Sequence, residues 1–437
     1  MSETGFPISR SSEMIVSLTR SSGVTAERVG PKAATLSRLH HAGLRIPDGF
    51  CLTAAAYRAQ IAAAGVETVA RRVVTAEGLE ARKLALEVRL GLLRAPLASA
   101  VADVLPAAYA RLTAASASLV AIRSSALLED SPTASFAGQF ETFLGIAGEV
   151  DMLTAIRACW ASLWSTRALR YMQMHQVDPG RTAMAVLVQA LVPALAAGGA
   201  LSRTPEGAIA ITGTWGLGSA IAQGEVVPDR WTLGRDATVL RVDPGRKERV
   251  VECSAVSGPM PRAVPRDLVS VPCLNDDEAS TLARMVLAAE SLLGMPIETE
   301  WAKDAEGIHL LQARPLAVQS AHVADDVWLR HPGLRGQPSG VGWSTGPARI
   351  VLHEHDLERV EVGDVLVTQV AGPALTAVLP RVAGVVAELG GSTSHLAALA
   401  RERGIPAVLG VGEATRRIPE GARVAVDGVA GVVRWIA

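Results

Sequence analysis

The segment AELGGSTSHLAALARERGIPAVLG, residues 387–410, holds the sharpest chemical pattern in the chain. Its Gly390–Gly391 pair reads as a tight turn after a buried strand. Ser392, Thr393 and Ser394 are good N-caps for a helix over 394–403, which places His395 in the first helical turn. Unpaired backbone N–H groups and the positive end of the helix dipole favour an anion there. A ring nitrogen so placed can take a phosphoryl group while nearby hydroxyls steady its oxygens. The dipole also disfavours the imidazolium, which keeps the nitrogen nucleophilic near neutral pH. The same pattern equally suits a surface histidine beside a helix cap.

Three other segments have chemistry suited to a polyphosphate. AIRSSALLEDSPTASFAGQFET is expected to place Arg123 at a strand end beside a loop of small and acidic residues, where a guanidinium can grip phosphate. TWGLGSAIAQGEVVPD carries Gly216, Gly218 and Ser219 in a loop whose N–H groups could wrap phosphates. ETEWAKDAEGIHLLQARP reads as two antiparallel strands joined by an Asp-Ala-Glu-Gly turn. Strand periodicity then lets Glu300, Gln312 and Arg314 share one face. The oxygen donors of Glu300 and Gln312 suit Mg2+ held mainly by a nucleotide. Taken singly, each is also an ordinary solvated strand or loop residue.

The rest of the chain must position these groups. It has 437 residues, a net charge of −1, 49% hydrophobic and 19% charged residues. That length suits about two or three domains and excludes a disordered chain. Balanced charge, with no basic aromatic stripe, argues against a nucleic-acid partner. Only four of the 42 basic residues are lysines: Lys32, Lys83, Lys247 and Lys303. A GC-rich genome explains the bias, and a lysine inside a motif then stands out. Cys51, Cys159, Cys253 and Cys273 make no metal spacing and read as buried thiols of a reducing compartment. No basic run leads into an apolar one near Met1, so a cytoplasmic protein without a signal peptide is expected. Residues 182–202 carry no charge over the length of a membrane span, but Gln189, Pro193 and Gly198–Gly199 break them. They read as two neighbouring buried strands of one core.

Helical spacing runs through 30–43, 54–118, 149–176 and 276–294, with N-caps expected at Thr53 and near Asn275. The aromatic stripe that includes Trp160 and Trp164 reads as core. Residues 317–338 lack periodicity and end in Pro and Gly. Beyond them short Val/Ile strands alternate with Gly-rich turns. The expected class is α/β (α+β), with a nucleotide-binding domain over 1–318, a linker over 319–338 and a small β-rich domain over 339–437.

Together these segments resemble the phosphoenolpyruvate synthase / pyruvate phosphate dikinase family, which includes rifampin phosphotransferase. VGPKAATLSRLHHAGLRIPDGF is similar to the family's opening, and IRSSALLEDSPTASFAGQFETFLG to its ATP block. WGLGSAIAQGEVVPD and EWAKD…LLQARP resemble later nucleotide motifs. GDVLVT, GGSTSHLAALARERGIPAVLG and VDGVAG resemble the swivelling phosphohistidine domain. The resemblance runs in order from about Val29 to the C-terminus. It implies an ATP-grasp-like domain, ATP and Mg2+ as cofactors, and a His domain that swings about the linker.

The resemblance also implies residue roles. Lys32 and Arg123 would hold ATP phosphates, with Gly138 and Thr142 lining the phosphate end. Gln189 and Leu191 would mark the adenine hinge. Glu300 and Gln312 would hold Mg2+, and Arg314 the triphosphate. His395 would carry the phosphoryl or pyrophosphoryl group with Thr393 in support, ATP ending as AMP and phosphate. The other three lysines read as surface residues. Two departures stand out: Pro31 replaces a usual glycine, and GGALSRTP replaces the usual strand after the hinge. No pyruvate barrel or drug-binding domain is expected in this length. The phosphoryl acceptor is therefore a small molecule bound by this chain, or one held on a separate acceptor-binding protein, or the chain is a regulatory phosphocarrier. No membrane partner is expected.

Overall fold

In the computed structural model, residues 13–21, 24–115, 119–129, 136, 139–254, 258–316, 331, 333–370 and 372–436 are described. Gly138 and most of the 319–338 stretch lie outside them. The chain divides into two compact units, Met1–Val192 with Cys253–Pro259, and Pro193–Glu252 with Met260–Ala437. The division falls inside the expected 1–318 domain rather than at its end.

The first unit is built on an antiparallel sheet of β1 (Ile15–Ser17), β2 (Gly49–Leu52), β3 (Val120–Ala126), β4 (Thr142–Ile146) and β5 (Met184–Ala190). The strand order is β1-β2-β5-β3-β4. The Glu149–Ser162 helix packs on β3 and β5 and buries Met152, Ile156 and Trp160. Trp164 donates its indole N–H to the Tyr57 hydroxyl at 2.9 Å, and Trp160 and Trp164 are both core, as their spacing implied. Thr53 caps the Ala54–Ala63 helix by accepting from the Ala56 N–H. The Ala26–His41 helix is kinked at Gly30, with φ of 74°. A Cβ at Gly30 would stand 2.3 Å from the Ser125 carbonyl oxygen, so only glycine fits both the angle and the approach. Pro31 then opens the regular turns, where its missing N–H costs nothing.

The second unit contains two sheets. The first is antiparallel and formed by β6 (Ala196–Leu201), β7 (Ile209–Trp215), β8 (Asp229–Leu233), β9 (Val239–Asp243), β12 (Ile297–Lys303) and β13 (Ile308–Pro315). Its order is β13-β12-β6-β7-β8-β9. Between β9 and β12 the chain makes a two-stranded ribbon, β10 (Arg249–Ser254) with β11 (Gly258–Ala263), whose tip is counted with the first unit. The Asp276–Leu293 helix packs on β7, β8, β9 and β12. It starts with a reciprocal cap between Asn275 and Glu278 and ends at left-handed Gly294.

The second sheet has the order β14-β21-β20-β16-β17-β18-β19-β15. Its strands are β14 (Gly333–Arg335), β15 (Gln337–Gly340), β16 (Trp343–Val351), β17 (Val365–Thr368), β18 (Gly384–Ala387), β19 (Ala407–Leu409), β20 (Arg423–Asp427) and β21 (Val432–Ile436). Strands β16 to β19 run parallel and the other pairs antiparallel. Val365, Val367, Val386, Val408, Val424 and Val426 form the centre of its core.

Three expectations are corrected. Residues 333–338 are not linker, because β14 and β15 close the two edges of the second sheet by backbone pairing that needs no apolar period. Residues 182–202 do form two strands, but β5 and β6 belong to different sheets. Lys247 is not a surface residue. It is fully buried against Asp229, whose two oxygens also accept the N–H groups of Gly245 and Cys273. Among the described residues no single helix is long and apolar enough to cross a membrane.

Candidate functional site

The first unit sets several of its expected residues on or against β3 and its neighbours. Arg123 lies in the middle of β3 rather than at the expected strand end, because pairing with β5 carries the strand on through Ala126, and it stands opposite Thr142 on β4 and Leu187 on β5. The guanidinium and the exposed hydroxyl therefore share one sheet position. Lys32, 6% exposed, is tied to the Glu129 carboxylate at 2.9 Å and to the Ser124 carbonyl at 2.8 Å. Glu129 in turn accepts from the Ala126 N–H, which fixes the pair to the end of β3. Gln189 is buried and its amide donates to the Pro47 carbonyl at 3.3 Å. The N–H of Leu191 bonds the Leu119 carbonyl at 3.0 Å. Both residues expected at the hinge thus have partners within their own unit. Gly138 falls outside the described residues.

The second unit gathers its polar residues into a row across the first of its sheets. Reading across strands, Gln312 faces Glu300, Glu300 faces Gly199, Gly199 faces Thr212 and Thr212 faces Arg230. Side chains directly opposite in register point to one face. The next row on that face pairs Arg314 with Glu298. The period-two expectation for Glu300, Gln312 and Arg314 therefore matches the register. On the alternate positions Ile211, Trp231, Ile297 and Trp301 are fully buried.

Gly199 leaves a gap in the middle of the row. The loop before His395 fills it. A Cβ at Gly199 would lie 2.6 Å from the Thr393 Cβ, and the Thr393 hydroxyl sits 2.7 Å from that of Thr212. Two further hydrogen bonds seat this region, Gly390 N–H to the Val226 carbonyl at 3.0 Å and the Gln337 amide to the Pro228 carbonyl at 2.8 Å. Ser394 caps the His395–Glu402 helix through the Ala397 N–H, so half-buried His395 is the first helical residue.

Glu298 and Arg401 were not singled out by sequence. Arg314 and Arg401 each donate to the same Glu298 carboxylate oxygen at 2.9 Å. Arg401 also donates to the Ser339 and Ser392 carbonyls. Burial pushes the Glu298 carboxyl up, and the Arg314 and Arg401 guanidiniums outweigh it, leaving it below the ordinary glutamate value. The signal for Glu298 was present in its spacing from Glu300, two residues along one strand face. Arg401 had no local signal, since its partner is 103 residues away.

Glu300 and Gln312 offer oxygen donors at facing positions, which fits Mg2+ bound chiefly through a nucleotide. No group of three or more His, Cys, Asp or Glu side chains gathers around a metal-sized space among the described residues.

A family model described as the pyruvate phosphate dikinase AMP/ATP-binding domain matches residues 26–329. The chain belongs to the pyruvate phosphate dikinase family. A second model, the mobile domain of PEP-utilising enzymes, matches residues 360–431 and so includes the His395 helix. A probable phosphoenolpyruvate synthase of Methanothermobacter thermautotrophicus is 32% identical over 92% of this chain and 61% of its own length. The phosphoenolpyruvate synthases of Aeropyrum pernix and Escherichia coli are each 32% identical, over 93% and 94% of this chain and 56% of their own lengths. The chain thus spans a little over half the length of these relatives.

Proposed function

We propose that this chain is an ATP-dependent phosphotransferase of the dikinase type that works through phosphorylated His395. The observation that carries the reading is the seating of the His395 loop on the Glu298–Glu300–Gln312–Arg314 face, with Thr393 in the gap at Gly199. A ring nitrogen of His395 attacks a phosphorus of ATP. The bridging phosphorus–oxygen bond breaks, and its electron pair leaves with the nucleotide. Over the full cycle ATP, water and the acceptor yield AMP, free phosphate and a phosphorylated acceptor, water taking the second phosphoryl group.

The residues have separate tasks. Lys32, Arg123 and Arg314 hold phosphate oxygens, with Thr142 and Gly138 beside them, and Gln189 and Leu191 border the adenine. Glu300 and Gln312 hold Mg2+, which when bound neutralises the polyphosphate. Thr393 fixes the approach of the loop, and the positive end of the His395 helix dipole faces the transferred phosphoryl oxygens. Splitting the reaction over a carrier lets each half position its own reactants. The curated relatives are phosphoenolpyruvate synthases, so pyruvate is the first acceptor to test.

Incubation with labelled ATP and Mg2+ tests this. The expected product is an acid-labile, base-stable label that a His395→Ala variant does not take up. Label retained by that variant sinks the assignment. AMP formed with pyruvate alone supports a chain that turns over unaided, and AMP formed only with a second polypeptide supports a separate acceptor-binding protein.

A further inference from the structure

The trio of Glu298, Arg314 and Arg401 carries one negative and two positive charges. Arg314 belongs to the same hairpin as Glu298, whereas Arg401 arrives from the mobile-domain segment that bears His395. Arg401 is only 7% exposed, and the carbonyls of Ser339 and Ser392 hold its other terminal nitrogen. Its fork is therefore set by the loop that also sets His395. A buried surplus of positive charge is costly unless an anion meets it. Without Arg401, the Glu298–Arg314 pair is neutral and offers no such surplus.

We infer that Arg401 is a docking-dependent positioning residue. Seated on Glu298, it takes up that carboxylate's charge and leaves Arg314 with a net positive charge for the polyphosphate. The phosphate site is then electrostatically complete only while His395 is in place to receive the group. Away from the sheet, the same site is neutralised by its own carboxylate, which withholds transfer to water. Arg401 acts through Glu298 and touches no nucleotide. The inference rests on the autophosphorylation proposed above.

The full-length protein provides the test. Rapid quenching with labelled ATP follows His395 labelling in one turnover, and equilibrium binding gives ATP affinity. Arg401→Gln is expected to slow labelling about 100-fold, while ATP affinity stays within about threefold of wild type. Arg401→Lys keeps the charge and is expected to regain part of the rate, which guards against a folding defect. Because both residues act through one contact, Glu298→Gln/Arg401→Gln is expected to fall no further than the slower single variant. Labelling of Arg401→Gln at the wild-type rate overturns the inference. So does a loss of ATP affinity as large as the loss of rate, or full additivity in the double variant. Labelling of the wild type separates the two ideas. Without it the proposed function falls; with it, and with an unaffected Arg401→Gln, only the role of Arg401 falls.

Discussion

Glu298 shows how a single carboxyl can report the state of a site. Its carboxyl is held below the unfolded value because two guanidiniums outweigh burial. Such a group stabilises the fold fully above about pH 4.3 and loses that contribution as pH falls through the lower folded value. The melting temperature of the wild type is therefore expected to fall more steeply below about pH 4 than that of Glu298→Gln. Parallel curves would remove Glu298 from the acid response. At neutral pH the same variant strands the buried Arg401 guanidinium beside half-buried Arg314 and should cost roughly 3 kcal/mol in a denaturant titration. Lys32 teaches a related lesson. Its rarity and motif marked it in the sequence, but its partner Glu129 lies 97 residues away and no local pattern names it. Lys247 was misread for a similar reason: no motif claimed it, so it read as a surface lysine, and Asp229, 18 residues away, holds it inside.

At the scale of elements, the legible parts were those fixed by local chemistry. The Asp-Ala-Glu-Gly turn specified the β12–β13 hairpin, the cap near Asn275 specified a helix start, and the Ser392–Ser394 run specified another. The illegible parts were non-local pairings. Nothing near Gln189–Gly199 states that β5 and β6 join different sheets, and the Pro and Gly of β15 read as linker because edge pairing uses backbone alone. Within the site, period two placed Glu300 with Gln312, but the gap at Gly199 needed two further strands to become visible. That gap gives a sharp test. A methyl group in a strand normally stabilises it by about 0.5–1 kcal/mol over glycine. Gly199→Ala is expected to keep or raise thermal stability while slowing His395 labelling at least about tenfold, because its Cβ collides with Thr393. Unchanged labelling would show that Thr393 does not need the space.

The molecule as a whole protects its thiols unevenly. Cys51, Cys159 and Cys273 are buried, and burial pushes all three far up from the ordinary thiol value. Cys253 is only half-buried, and burial raises it as well. Reactivity follows thiolate and access. Native protein treated with a maleimide and mapped by mass spectrometry is expected to label Cys253 first and the others only after unfolding; early labelling of Cys51 or Cys159 would contradict the packing of the first unit.

The contacts that seat the His395 loop are a pair of hydroxyls, two hydrogen bonds to backbone carbonyls and a charged fork, arranged around a missing side chain. Water can replace each of them almost one for one. Polar contacts of this kind add little to the heat-capacity change of parting the seam, which apolar surface governs. A carrier resting on it would keep a nearly constant balance between seated and parted across a wide range of temperature, as a hinge oiled by solvent rather than glued by its core.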